Sequence, residues 1–122
     1  MKNRLSNLFA SRKSSFLPFE PTHRRIKVSL HHLINDLLTG LQPLNRNRNN
    51  EIHNGVPKGL CFIAEENRLA YALWNLLTTA LRTHQNEQIH VLALVDDHQT
   101  TISVKNAGHQ FALSIPNTRL AR

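Results

Sequence analysis

"AEENRLAYALWNLLTTALRTH", residues 64–84, carries the longest periodic signal in the chain. Leu69, Ala72, Leu73, Leu76, Leu77 and Ala80 recur at the three- and four-residue intervals that line up side chains on one helical face. Acids stand at its first turn and Arg82 at its last, as the helix dipole favours. From Glu65 to Thr83 such a helix runs about 28 Å at 1.5 Å per residue, enough to cross one face of a small sheet.

The flanks supply the sheet. Downstream, "QIHVLALVDDHQTTISVKN" (88–106) divides at Asp96 and Asp97 into two runs, which predicts an antiparallel hairpin, and "FALSIP" (111–116) follows Gly108 as a third strand. Upstream, "RIKVSL" (25–30) is a short strand with Ile26 and Val28 on one face. Leu30, Leu33, Ile34, Leu37, Leu38 and Leu41 then take helical spacing, with Ser29 as the cap and Gly40 and Pro43 as the stop. "NRNRNN" (45–50) is too hydrophilic to bury and reads as a loop, followed by an edge strand around "EIHNGV" (51–56) that Gly55 and Pro57 close off. Strand, helix, strand, helix and three strands make an α+β fold, a two-layer sandwich with helices on one face of a mixed, mainly antiparallel sheet. Pro18 and Pro21 bracket an irregular segment, which predicts a flexible basic arm at 1–21, a domain at 22–118 and a tail at 119–122.

An apolar fraction of 40% and a charged fraction of 19% over 122 residues belong to one globular domain and exclude a disordered or fibrous chain. Fifteen Lys and Arg against eight Asp and Glu leave a charge of +7, which favours anionic partners: nucleic acid, phosphoryl ligands or acidic protein surfaces. The same charge also serves as an ordinary solvated surface. Cys61 is the single cysteine; read as a buried thiol without a disulfide partner, it points to a reducing, cytoplasmic setting. No apolar stretch approaches the roughly 18 residues that cross a bilayer, and the first residues lack the apolar core of a secretory signal.

Four stretches, in order, resemble the ATP-binding domain of sensor histidine kinases, the GHKL or Bergerat family, over roughly residues 25–116. "VSLHHLINDLLTGLQPL" resembles its first strand and helix. "AEENRLAYALWNLLTTALRTH" resembles the N box, with an acid, an Arg-Leu pair and an Asn-Leu-Leu core along one helix. "ISVKNAG" resembles the strand entering the first glycine box, and "HQFALSIPN" the closing strand.

The resemblance also implies a site, and shows where this chain departs from it. Asn75 matches the first N-box asparagine, while Thr79 stands at the position of the amide that ligates Mg²⁺. The glycine-box aspartate, which accepts from the adenine amino group, is matched by Asn106, a neutral acceptor with donors of its own. Gly108 matches the first glycine of that box and Gln110 the second. Only "NAGHQ" stands where the family inserts a lid loop, a further glycine-rich box and a helix, whose backbone amides cradle the phosphates. A histidine kinase also needs a helical hairpin with a phosphoacceptor histidine; His23 is followed by "RR" and not by that family's motif.

Together these matches and departures imply a vestigial nucleotide site at Asn75, Thr79, Arg82, Asn106 and Gly108, no catalytic residue and no resident cofactor, with Mg-ATP as the alternative. The implied function is a non-catalytic signalling or regulatory module that contacts a protein partner, a kinase or a regulator. Tyr71 and Trp74 are its candidate anchors, since interfaces favour aromatic residues among apolar neighbours. A weak ATP-binding domain of a two-component or anti-sigma-type system is one alternative. A basic nucleic-acid-binding protein is another, although Phe9, Phe16, Phe19, Phe62 and Phe111 are not interleaved with basic residues. No metal site is expected: His31 and His32 are adjacent, and His84 and His90 have no ligand at metal spacing.

Overall fold

The computed structural model describes residues 24–106 and 108–121, so the arm predicted at 1–21 lies outside the described residues. The elements are β1 (Ile26–Ser29), α1 (Leu30–Gly40), a short α2 (Gln42–Arg46), β2 (Glu51–Asn54), β3 (Cys61–Ala64), α3 (Glu66–Arg82), β4 (Gln88–Val95), β5 (Gln99–Lys105) and β6 (Gln110–Pro116). A 3-10 turn (Asn117–Arg119) and β7 (Leu120–Ala121) complete the chain's described part.

The α+β sandwich is as expected, but its strands form two sheets. The larger has the order β2-β4-β5-β6, antiparallel except where edge strand β2 runs parallel to β4. The smaller has the order β1-β3-β7. Its centre, β3, is a strand the periodicity does not announce, and it pairs antiparallel with both neighbours: Val28 faces Phe62, which faces Leu120. Cys61 at its start is half-buried and free, where a buried thiol was expected. Leu120 and Ala121, expected in a tail, are paired strand. No described helix is long and apolar enough to cross a membrane.

Both helices bury one face against the larger sheet. Ser29 caps α1, its hydroxyl accepting the His32 N–H at 3.3 Å, and Leu30, Leu33, Ile34, Leu37 and Leu41 enter the core. Pro43 does not end that helix; it lies in the first turn of α2, where the missing N–H has no helical partner to lose. On α3 the buried residues are Leu69, Ala70, Leu73, Leu77, Ala80 and Leu81, a stripe rotated from the expected one. Ala72 and Leu76 are half-buried instead, because α3 is apolar around so much of its circumference that spacing alone selects no unique face. Ile89 and Val91 of β4, Ile102 and Val104 of β5, Val28, Phe62 and Ala64 of the smaller sheet, and Val56 complete this core.

The polar loop, expected in solvent, is also partly buried. Asn50 is buried, 7% exposed. Its amide donates to the His84 carbonyl at 3.0 Å and its carbonyl accepts the Glu87 N–H at 3.2 Å, while Asn45 brackets the Asn50 backbone from both sides. Asn49 and Asn86 both have φ of 58°, a left-handed conformation that asparagine tolerates better than most residues, and their side chains meet at 3.2 Å. The asparagines of this loop are thus a clasp on the connection between α3 and β4.

At the β4–β5 turn, Asp96 accepts the N–H groups of Gln99 and His98, both at 2.8 Å. The Gln99 bond first, then that of His98, holds its carboxyl below the ordinary aspartate pKa. A carboxyl depressed on folding stabilises above its unfolded pKa and loses that contribution as pH falls through the folded value. Asp96→Asn retains the acceptor without the charge, so in parallel acid titrations followed by circular dichroism it should lose less stability than the parent below about pH 4. Identical acid limbs for the two proteins would contradict this.

Candidate functional site

Where β5 turns into β6, Asn106 is engaged through its backbone N–H, its side-chain carbonyl and its side-chain amide. Its backbone N–H donates to the His109 carbonyl at 3.1 Å. Its side-chain carbonyl accepts the N–H groups of Gly108 and His109 at 3.1 and 3.0 Å, and its amide donates to the Glu87 carboxylate. Both acceptor lone pairs of the carbonyl are therefore committed to the turn.

Beside this turn lies a broad hollow of about 530 Å³ lined by Glu87, Gln88, His90, Lys105, Asn106, Gly108 and His109. Close by, His84 is 4% exposed and its Nδ1 sits 2.7 Å from the Ala80 carbonyl. A carbonyl only accepts, so Nδ1 carries the proton and Nε2 of the neutral ring is a bare acceptor. That Nε2 has no hydrogen-bond partner among the described residues and lies 3.9 Å from the Glu87 carboxylate. The His109 ring stands edge-on to it, 5.2 Å between centroids. The cluster sets two imidazoles and a carboxylate side by side at the edge of the hollow. It does not make a metal centre: no group of three or more His, Cys, Asp or Glu among the described residues could hold an ion.

Of the residues expected at a nucleotide site, Asn106 and Gly108 share this hollow, whereas Asn75, Thr79 and Arg82 do not line it. These three are exposed along α3, and the Thr79 hydroxyl donates back to the Asn75 carbonyl at 2.8 Å, the usual use of a helical threonine. Gly108 has no positive φ, and a Cβ there would meet nothing within 4 Å. Gly108→Ala should accordingly shift stability by less than about 0.5 kcal/mol in denaturant unfolding; a large loss would mean that the turn needs glycine after all. Of the aromatic pair, Trp74 is half-buried and packed on the core while Tyr71 is 41% exposed. His31, one of the adjacent histidines, is structural, 2.7 Å from the Val56 carbonyl through Nδ1.

Glu87, His84 and His109 carry no motif that sequence could flag; they meet because the β5–β6 turn folds onto the segment after α3. A second hollow of about 200 Å³ opens between β3, the start of α3 and β6, lined by Phe62, Ala64, Glu65, Arg68, Leu69 and Ile115. Glu65 and Arg68 pair on it at 3.3 Å.

Among known proteins, no family model and no curated protein matches the chain. Solved structures do. The catalytic domain of histidine kinase ThkA superposes with a TM-score of 0.61 over 70% of this chain and 60% of that one, at 22% identity. A histidine kinase from Burkholderia phymatum gives 0.58 over 66% of this chain and 38% of that one, at 23% identity. Histidine kinase ThkA in complex with the response regulator protein TrrA gives 0.59 over 70% and 26%, at 22% identity. The chain thus spans less than two thirds of the length of each. At such identities the likeness is one of architecture, and the chain has the fold of the histidine-kinase-like ATPase domains.

Proposed function

We propose that this domain works by protein contact in a two-component-type signalling setting in the cytoplasm, and that it has given up phosphoryl transfer from ATP. The observation that carries this reading is the commitment of Asn106. In the family it resembles, the matching carboxylate receives the adenine amino group; here the Asn106 carbonyl already holds two turn amides and its amide holds Glu87. Thr79 offers a hydroxyl engaged with its own helix where the resemblance calls for a Mg²⁺ ligand. The five residues "NAGHQ" leave no lid from which backbone amides could surround a triphosphate. The residues present do not fit Mg-ATP.

The partner we infer is of the response-regulator kind, on the strength of the ThkA–TrrA complex, with exposed Tyr71 as an anchor. The nucleic-acid alternative gains no support: Phe62 is fully buried and Phe111 half-buried against the core, so neither is a stacking platform.

The test is turnover of γ-labelled ATP with Mg²⁺ by the parent and by the double variant Thr79→Asn/Asn106→Asp. Neither should release phosphate above the buffer rate, because restoring two side chains does not restore a phosphate cover. Turnover that scales with parent protein and vanishes in Asn75→Ala would refute the non-catalytic half. Titration with a receiver domain addresses the other half: binding weakened by Tyr71→Ala is expected, and affinity indifferent to Tyr71 would remove it as an anchor.

A further inference from the structure

We infer that a second copy of this chain pairs antiparallel with the outer edge of β6, joining two of the four-stranded sheets into one. β6 ends the strand order, and no described strand pairs with its far side. The direction of its backbone groups is fixed by the hairpin bonds. Asn106 N–H meets the His109 carbonyl, and Asn117 N–H meets the His98 carbonyl at 3.0 Å. With Lys105 opposite Gln110 and Gln99 opposite Pro116, the alternation of an antiparallel ladder turns Phe111, Leu113 and Ile115 toward β5. Gln110, Ala112 and Ser114 therefore aim N–H and C=O outward, and Pro116 aims a carbonyl alone. A long edge of this kind is a template for another strand, and proteins usually guard it with charge. Here, in a chain of charge +7, all seven residues Gln110–Pro116 are uncharged.

The occupant is set by how the strand matches itself. A two-fold axis at Leu113 puts Ala112 opposite Ser114 of the second copy, so that these two exchange both bonds, and lets Gln110 N–H donate to the carbonyl of Pro116 of the second copy. On the core-facing side, half-buried Phe111, Leu113 and Ile115 meet Ile115, Leu113 and Phe111, an unbroken apolar row across the joint. On the open side, the row continues from Lys105 and Gln110 to Pro116 and Gln99 of the second copy, and the next from Ser103 and Ala112 to Ser114 and Thr101. Within these rows no charge meets a like charge, although both copies are strongly basic. A strongly charged strand from another protein would find no charge on β6 to answer its own.

Sedimentation equilibrium over a concentration series tests this on the whole chain. Ala112→Pro removes an outward N–H and leaves the β5 ladder intact, which an edge strand tolerates; Ser114→Lys places like charges on both sides of the axis. The parent should dimerise, and each variant should weaken the dimer at least roughly tenfold while keeping the parental circular dichroism spectrum. Amide exchange offers a second reading: Gln110, Ala112 and Ser114 should gain protection as concentration rises. A parent that stays monomeric at the highest concentration reached, or a dimer equally tight in both variants, would overturn the inference.

Discussion

Phe62→Ala is expected to cost the fold about 3–5 kcal/mol, the largest effect of any single substitution considered. Phe62 is fully buried, the central side chain of β3 with Val28 on one side and Leu120 on the other. Removing its ring takes apolar area from the core and widens the hollow already present beside Ala64 and Leu69. A domain of this size holds roughly 5–15 kcal/mol in total, so the variant should unfold at far lower urea concentration than the parent. The next residue is the control. Ile63 is 39% exposed on the opposite face of the same strand, and Ile63→Ala should cost less than about 1 kcal/mol. Equal losses from the two substitutions would mean that β3 is not packed as described.

The second large effect is expected from a polar residue. Asn50→Ala leaves the His84 carbonyl and the Glu87 N–H without their partner, in a place where Asn50 itself is nearly excluded from solvent. Stranding buried polar groups costs about 1–3 kcal/mol each, so a loss of about 2–4 kcal/mol should appear in equilibrium unfolding. Asn47→Ala, three residues earlier and exposed, should change stability by less than about 0.5 kcal/mol. If Asn50 proved as replaceable as Asn47, the clasp between the polar loop and the α3–β4 connection would not exist.

These two positions also mark the limit of what the sequence discloses. The long elements were legible: α1 and α3 fall where the leucine spacing puts them, and Asp96 begins the turn between β4 and β5. β3 was not, because "CFIA" is too short to show a period and its partners lie far along the chain, at Val28 and Leu120. For the same reason one sheet was expected where there are two. Pro43 ends a helix or begins one with equal ease, and only the backbone reveals α2. Polarity alone predicts a solvent-exposed Asn50, yet a polar side chain with its partners supplied can be buried. Composition does not show where those partners are.

Of the candidate site, the turn at Asn106 was legible in the sequence and the polar contacts that fill it were not. Asn106 and Gly108 line one hollow at the end of β5, whereas Asn75, Thr79 and Arg82 fall outside it. That the Asn106 side chain secures its own turn depends on a loop only a few residues long bending back on it. That Glu87 holds its amide depends on β5 returning to the end of α3. Both are consequences of three-dimensional closure, which no local pattern encodes.

The most direct measurement is the thermal unfolding midpoint with and without saturating Mg-ATP. A ligand of the native state at 100 times its Kd adds about 2.7 kcal/mol, which moves the midpoint of a domain this size upward by about 10 °C or more. With Asn106 spent on its turn and Thr79 on its helix, the predicted result is an unchanged midpoint. A clear rise, lost in Asn106→Ala, would contradict it and return the hollow to nucleotide binding.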